Sequence, residues 1–147
     1  MRWQWAGWEA LSKEDLYDVM MLRQEVFVVE QDCPYMDADG RDPEAMHLLG
    51  WKEKTLVAYV RTFAPGVIYE EACIGRVVTS PSIRGTGQGR PLMAEAMRCM
   101  EETWGAGPIK ISAQRHLESY YVSLGFQVCG EGYLEDNIPH VPMRRSL

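Results

Sequence analysis

Apolar and polar positions change period several times along the chain, and each change marks a predicted element. Large aromatics (Trp3, Trp5) alternate within Arg2 to Trp8, which suits a strand. Ser12 with Asp15 three residues later resembles a capping box. Behind it, Leu16, Val19, Met20, Val26 and Phe27 recur at helical spacing, which predicts a helix over Lys13 to Glu30. Arg23 falls on that apolar stripe, where it either snorkels or pairs with an acid, or else lines a pocket. Gln31 to Pro43 (QDCPYMDADGRDP) holds two prolines, a glycine and four aspartates and reads as a loop. Met46 to Trp51 and Thr55 to Phe63 flank Lys52-Glu53-Lys54 as the arms of a hairpin. Ala64 to Glu71 then leads into a β-rich run, Ala72 to Thr79.

From Pro91 the period becomes helical again. Leu92, Met93, Ala96, Met97 and Met100 share one face, proline is tolerated in a first turn, and Gly105 and Gly107 stop the helix. Ile109 to Ala113 is a short strand; Leu117, Tyr121 and Leu124 mark a short helix ended by Gly125. Phe126 to Val128 and Ile138 to Arg144 are the last strands. The order β-α-β-β-β-α-β-α-β-β belongs to a mixed α+β chain with a mostly antiparallel sheet. Strand Ala72–Thr79, the next helix and strand Ile109–Ala113 make one parallel crossover within it.

The strand-to-helix passage of that crossover, Thr79 to Met93 (TSPSIRGTGQGRPLM), carries the clearest chemistry. Gly85, Gly87 and Gly89 let the backbone turn several N–H groups toward one point at the positive end of a helix dipole, an arrangement suited to phosphate. Arg84 and Arg90 flank it. Neither a Walker A loop nor a dinucleotide fingerprint fits, because Arg90-Pro91 follows Gly89 and Arg90 holds the place of the third fingerprint glycine. A glycine-rich turn without a ligand is the plainer alternative.

Composition narrows the classes. A chain of 147 residues with 46% hydrophobic and 24% charged residues fits one globular domain, here taken as residues 1–147. No apolar run approaches a membrane span, no signal peptide is read at the N-terminus, and a cytoplasmic location is expected. A net charge of −6 argues against nucleic acid. Cys33, Cys73, Cys99 and Cys129 form no CxxC pair, so neither zinc nor any other metal is expected.

Arg84-x-x-Gly87-x-Gly89 after a strand and before an amphipathic helix resembles the motif of the GCN5-related N-acetyltransferases (GNAT), and Tyr121-Val-Ser-Leu-Gly125-Phe126 resembles their late YxxxGF segment. Further stretches are similar to the ElaA-like subfamily: Leu22 to Gln31 (LRQEVFVVEQ), Cys33-Pro-Tyr35, Asp39-Gly-Arg-Asp42, Ile74-Gly-Arg-Val-Val78 and Tyr133 to His140 (YLEDNIPH). The resemblance covers nearly all the chain and implies the GNAT fold, with acyl-CoA bound at the parallel crossover. It implies acetyl-CoA as co-substrate and an amine acceptor, small molecule or protein, with a homodimer left open. The cofactor-binding set it implies is Val77, Val78 and Thr79 on the pantetheine arm, Arg84, Gly85, Thr86, Gly87, Gln88, Gly89 and Arg90 at the pyrophosphate, and Gln114, where many relatives have Asn. The strand containing Ile111 would diverge to admit the cofactor.

The function so implied is acetyl transfer to a primary amine by direct attack on the thioester. Tyr121 is the candidate acid for the leaving thiolate, since a phenol is protonated at neutral pH. It also sits on an apolar stripe, where it would only pack. Tyr120 faces elsewhere. Chemistry alone offers His47, Glu30, Asp32, His116 and His140 as bases, with a water chain as another route. Cys33 is set aside as a nucleophile because no histidine neighbour can be argued for it. Two other readings remain: a non-catalytic acyl-CoA-binding module of the same fold, and an acyl-homoserine-lactone synthase-like enzyme, suggested by Arg23-x-x-Val26-Phe27.

Overall fold

The computed structural model describes residues 1–146. Eight strands form one sheet: β1 (Arg2–Gly7), β2 (Met46–Lys52), β3 (Thr55–Phe63), β4 (Ala72–Thr79), β5 (Ile109–Gln114), β6 (Gln127–Val128), β7 (Tyr133–Glu135) and β8 (Ile138–Arg145). They lie in the order β1-β2-β3-β4-β5-β8-β6, with β7 also paired to β8. Every pairing is antiparallel except β4 with β5, as the mixed sheet and its crossover require. No helix among the described residues is long and apolar enough to cross a membrane.

Three α-helices cover the sheet: α1 (Lys13–Arg23), α2 (Gly89–Trp104) and α3 (Glu118–Val122). Val19 and Leu22 of α1 pack with Leu49, Tyr59 and Val78 on one face. On the other, Leu92, Met93 and Ala96 of α2 and Tyr121 of α3 pack with Val60, Ile74, Ile111 and Met143. Alternate residues of one strand therefore feed two separate cores, as the pleat demands: Tyr59 of β3 belongs to the α1 side and Val60 to the α2 side.

Three elements differ from the sequence reading. The helix predicted to reach Glu30 is α-helical only to Arg23, and Gln24–Glu30 is π-helical. Near its end, the amides of Gln31 and Cys33 donate five residues back, to Val26 and Val28. Such widened turns carry no residue signature of their own, so periodicity did not register them. The capping box forms on one side only: Ser12 Oγ accepts from the Asp15 amide at 3.0 Å, while the Asp15 carboxylate takes a hydrogen bond from Gln4 Nε2 at 3.1 Å. The third difference is β7, a strand absent from the prediction. Asp136 and Asn137 both adopt positive φ (50° and 62°), which is the two-residue turn that joins β7 to β8.

The long acidic loop is held by charge. Arg23, fully buried, donates from Nε to Asp37 at 2.6 Å and from Nη1 to Asp42 at 2.7 Å. Arg61 on β3 shares Asp42 at 3.0 Å and grips both Asp39 oxygens at 2.8 Å each. Arg76 on β4 meets Asp37 at 2.8 Å. Arg23 is thus an ion-paired buried residue, the first of the two roles the stripe allowed. Burial opposes ionisation of Asp42, but the hydrogen bonds and charge of Arg23 and Arg61 outweigh it and hold the carboxyl below its ordinary range. Asp39 is lowered in the same way by Arg61.

Carboxyls lowered in the folded state stabilise it above the unfolded carboxylate value of ~3.9 and lose that contribution as pH falls through the folded value. Urea unfolding should accordingly show stability falling below about pH 4 in the parent protein. Asp42→Asn should cost about 3–5 kcal/mol at pH 7, the usual result of stranding a buried charge, and should flatten the acid dependence.

Candidate active site

The parallel pair that closes the crossover is short. Only Ala72 with Ile109 and Cys73 with Lys110 are in register; beyond them the two strands part. A bulge in β4 accompanies the parting: Tyr59 faces Val78 and Arg61 faces Gly75, so Arg76 and Val77 together oppose Val60. Arg76 takes φ +48°, rare for a residue with a β-carbon. Its ion pair with Asp37 and its Nη2 hydrogen bond to the Asp37 carbonyl at 3.0 Å fix it there. Bulges bend a strand and re-aim side chains, and this one leaves a gap between β4 and β5 from Ile74 onward. The predicted divergence of the Ile111 strand is present.

At the far end of β4 the glycine loop turns into α2. Gly85 and Gly87 have φ of +81° and +79°, with open space where a β-carbon would stand. Gly89 is helical, and a β-carbon on it would meet the Tyr120 hydroxyl at 3.2 Å. Gln88 caps α2 without a side-chain bond, and among the described residues the N–H groups of Gly87, Gln88, Gly89 and Arg90 have no acceptor. These donors meet the requirement for an anion seat at a helix N-terminus. The flanking arginines are engaged elsewhere. Arg84 pairs with Glu30 and donates to the Thr79 carbonyl; Arg90 donates to Ser123 Oγ at 2.8 Å and lies over the Tyr120 ring. Thr86 bonds the Ile83 carbonyl.

A cavity of about 490 Å³ opens from the gap. Val77, Gln114, Tyr121, Glu135 and His140 border it together with the acidic loop, whereas the stretch from Arg84 to Arg90 lies outside its lining. The Val78 side chain is turned into the α1 core, so only its main chain is available. Gln114 Nε2 reaches Gln31 Oε1 at 3.4 Å. Tyr121 is 7% exposed, edge-on to Tyr120 and Phe126, and its hydroxyl has no hydrogen-bond partner among the described residues. Burial, with Tyr120 beside it, pushes its phenol up to about 12. A second cavity, about 750 Å³, lies at the other end of α2 between Met97, Trp104, Pro108 and Arg144 and holds none of the predicted site residues.

This geometry agrees with the comparisons to known proteins. The family profile for the acetyltransferase (GNAT) domain matches residues 11–147. The chain belongs to the GNAT family. It is 41% identical to the protein ElaA of Escherichia coli (strain K12) over 149 aligned residues, covering 100% of this chain and 97% of that one. The crystal structure of an acyl-CoA N-acyltransferase from Pseudomonas aeruginosa superposes with a TM-score of 0.93 at 41% identity, covering 99% of this chain and 100% of that one. At the level of fold alone, an aminoglycoside 6′-N-acetyltransferase complexed with coenzyme A matches with a TM-score of 0.73 at 13% identity over 97% and 96% of the two chains. The GNAT fold and the ElaA-like resemblance read from the motifs are both correct.

Within this GNAT chain the five base candidates separate. His47 is fully buried, with Nδ1 2.5 Å from the Tyr59 hydroxyl and Nε2 3.0 Å from the Asp42 carbonyl. Burial lowers its pKa, and its partners are structural. Glu30 holds Arg84, and Asp32 and His116 are exposed and border no part of the cavity. His140 is buried and borders it. Cys33 is buried, donates to the Asp136 carbonyl at 3.5 Å and makes no hydrogen bond to a histidine among the described residues. Arg61, Arg76 and Glu135 were missed as site residues. An arginine inside an apolar strand was the available signal for the first two; only the unpredicted β7 could have revealed Glu135. His47→Leu should lower stability by about 1–3 kcal/mol, the cost of leaving the buried Tyr59 hydroxyl unsatisfied, read as a lower urea midpoint with unchanged m-value.

Proposed function

We propose that the chain is an acetyl-CoA-dependent N-acetyltransferase, residues 1–147 acting as one cytoplasmic catalytic unit that acetylates a primary amine by direct attack on the thioester. One observation carries the reading: beyond Cys73 the β5-facing edge of β4 is unpaired, with N–H groups lacking an acceptor at the start of α2 after its far end and a Tyr121-bordered cavity beside it. A pyrophosphate, an extended amide-bearing arm and a thioester need those three features. The coenzyme A complex of the distant aminoglycoside acetyltransferase supports the choice of ligand.

In this reading Gly85, Thr86, Gly87, Gln88, Gly89 and Arg90 hold the pyrophosphate through main-chain amides, and Arg84, already paired with Glu30, contributes less. The β4 main chain at Val77, Val78 and Thr79 pairs with the pantetheine arm from one side and Gln114 from the other. An amide there also polarises the thioester carbonyl, which needs a donor as charge develops on oxygen. The Tyr121 hydroxyl, high in pKa and without another acceptor, stays protonated and donates to sulfur as the C–S bond breaks. The synthase-like reading shares the fold and makes a different prediction, long acyl-carrier donors outperforming acetyl-CoA, which a comparison of donors tests.

Acetyl-CoA at ~100-fold excess over its Kd should stabilise the fold by ~2.7 kcal/mol, seen as a higher Tm. Gly87→Val, which forces a β-branched residue toward a left-handed φ, should remove that shift. A folded protein with no shift at millimolar acetyl-CoA overturns the cofactor assignment; a shift with no CoA released from any amine supports the binding-module alternative instead. Tyr121→Phe keeps the packed ring, so its Tm should stay within a few degrees while kcat falls ~10²-fold or more. An unchanged kcat removes Tyr121 from the reaction.

A further inference from the structure

His140 and Glu135 border the cavity and have no part in the reaction described so far. The hairpin Tyr133–Glu135/Ile138–Arg145 places Tyr133 across from His140, and β5 places Gln114 across from it on the other side. The imidazole is stacked on Tyr133 with ring centroids 6.2 Å apart and planes 15° apart. Its Nδ1 lies 2.7 Å from the Ile138 carbonyl, which can only accept, so Nδ1 carries the hydrogen. In the neutral ring Nε2 is then a bare lone pair, and it lies 3.4 Å from Glu135 Oε2. With the ring neutral, two acceptors face one another at a cavity wall, and a donor placed against both satisfies them.

The surrounding charge points the same way. Arg23, Arg61 and Arg76 are matched by Asp37, Asp39 and Asp42, and Arg41 lies 3.5 Å from Glu44. Glu135 and Asp136, both lining the cavity, have no arginine or lysine partner among the described residues. Groups facing His140 from its neighbours are Glu135 and Tyr133 on β7 and Gln114 on β5, with the Arg115 guanidinium packed against Gly132 near the His140 carbonyl.

We infer that His140 and Glu135 form the seat for the acceptor's ammonium group, with His140 as the general base, and that the acceptor is a cationic primary amine. The inference rests on the N-acetyltransferase reading. In this seat Glu135 and His140 Nε2 each accept one N–H. His140 then takes that proton, the electron pair remaining on nitrogen, and the imidazolium pairs with Glu135. The amine nitrogen forms the C–N bond with the acetyl carbonyl carbon. The C–S bond breaks, and sulfur leaves with its electron pair and takes the Tyr121 proton. The proton lost by the new amide nitrogen restores Tyr121 through solvent, and the imidazolium releases its own, so one proton leaves per turnover.

The probe is 1,4-diaminobutane, read by CoA release across pH 6–10 in the parent, His140→Gln and Glu135→Gln, with thermal melting of each. Gln retains a donor for the Ile138 carbonyl, and Glu135 is half exposed, so both variants should fold and keep the acetyl-CoA stabilisation. His140→Gln should lower kcat ~10²-fold, and its kcat/KM should keep rising to the pH at which the free amine itself forms, while the parent levels off earlier. Glu135→Gln should raise KM for the diamine ~10-fold with a smaller change in kcat. A His140→Gln enzyme within twofold of the parent and with the same profile overturns the inference. A turnover-independent arm follows the His140 Cε1–H resonance with CoA present: the diamine should move it in the parent and not in Glu135→Gln. No movement together with no CoA release overturns the seat, while the acetyl-CoA melting shift stands or falls separately with the enzyme reading.

Discussion

The site depends on one constraint: the Arg23 charge must be answered where no water reaches it. Asp37 and Asp42 answer it from a loop that has little apolar reason to lie on the sheet, since Tyr35 and Met36 within that loop are exposed. Asp42 also binds Arg61, and Asp37 also binds Arg76, so helix, loop and two strands are joined through shared carboxylates. Desolvating six charges is costly, and such a network adds little net stability over an apolar replacement. What it supplies is position. Removing Arg23, Asp37 or Asp42 strands a buried charge, which ties these three into one arrangement.

From that network the cavity follows. Arg76 reaches Asp37 only because β4 bulges and its backbone adopts a left-handed φ, and the same bulge goes with the separation of β4 from β5. The strain at Arg76, of order 1–3 kcal/mol, persists because the ion pair over-determines the conformation. The opening between β4 and β5 and the charge cluster that borders it are therefore two consequences of one local irregularity.

The proposed acid and the proposed base fall on different layers. Tyr121 projects from α3 out of the apolar core shared with α2, and its burial keeps the phenol protonated. His140 and Glu135 come from the β7–β8 hairpin, whose register is set by the tight Asp136-Asn137 turn. Rigid strands on either side of His140 fix its ring, which a loop could not do with the same accuracy.

Much of this was legible in the residues. The period of the apolar positions determined the order of elements and the single parallel crossover, because helix and strand impose different repeats on any half-buried surface. Gly85 and Gly87 between a strand and a helix announced a tight left-handed loop, since few other residues tolerate the backbone there; Gly89 carried no such requirement. The π-helical turn was hidden, because no residue type marks a change in hydrogen-bond register. β7 was hidden because three exposed residues carry no burial pattern, although Asp-Asn was a turn signal in plain view. Which histidine meets the cavity, and that Arg23, Arg61 and Arg76 share three aspartates from one loop, were decided only by tertiary structure: charges pair through space, and the chain separates these partners by up to 39 residues.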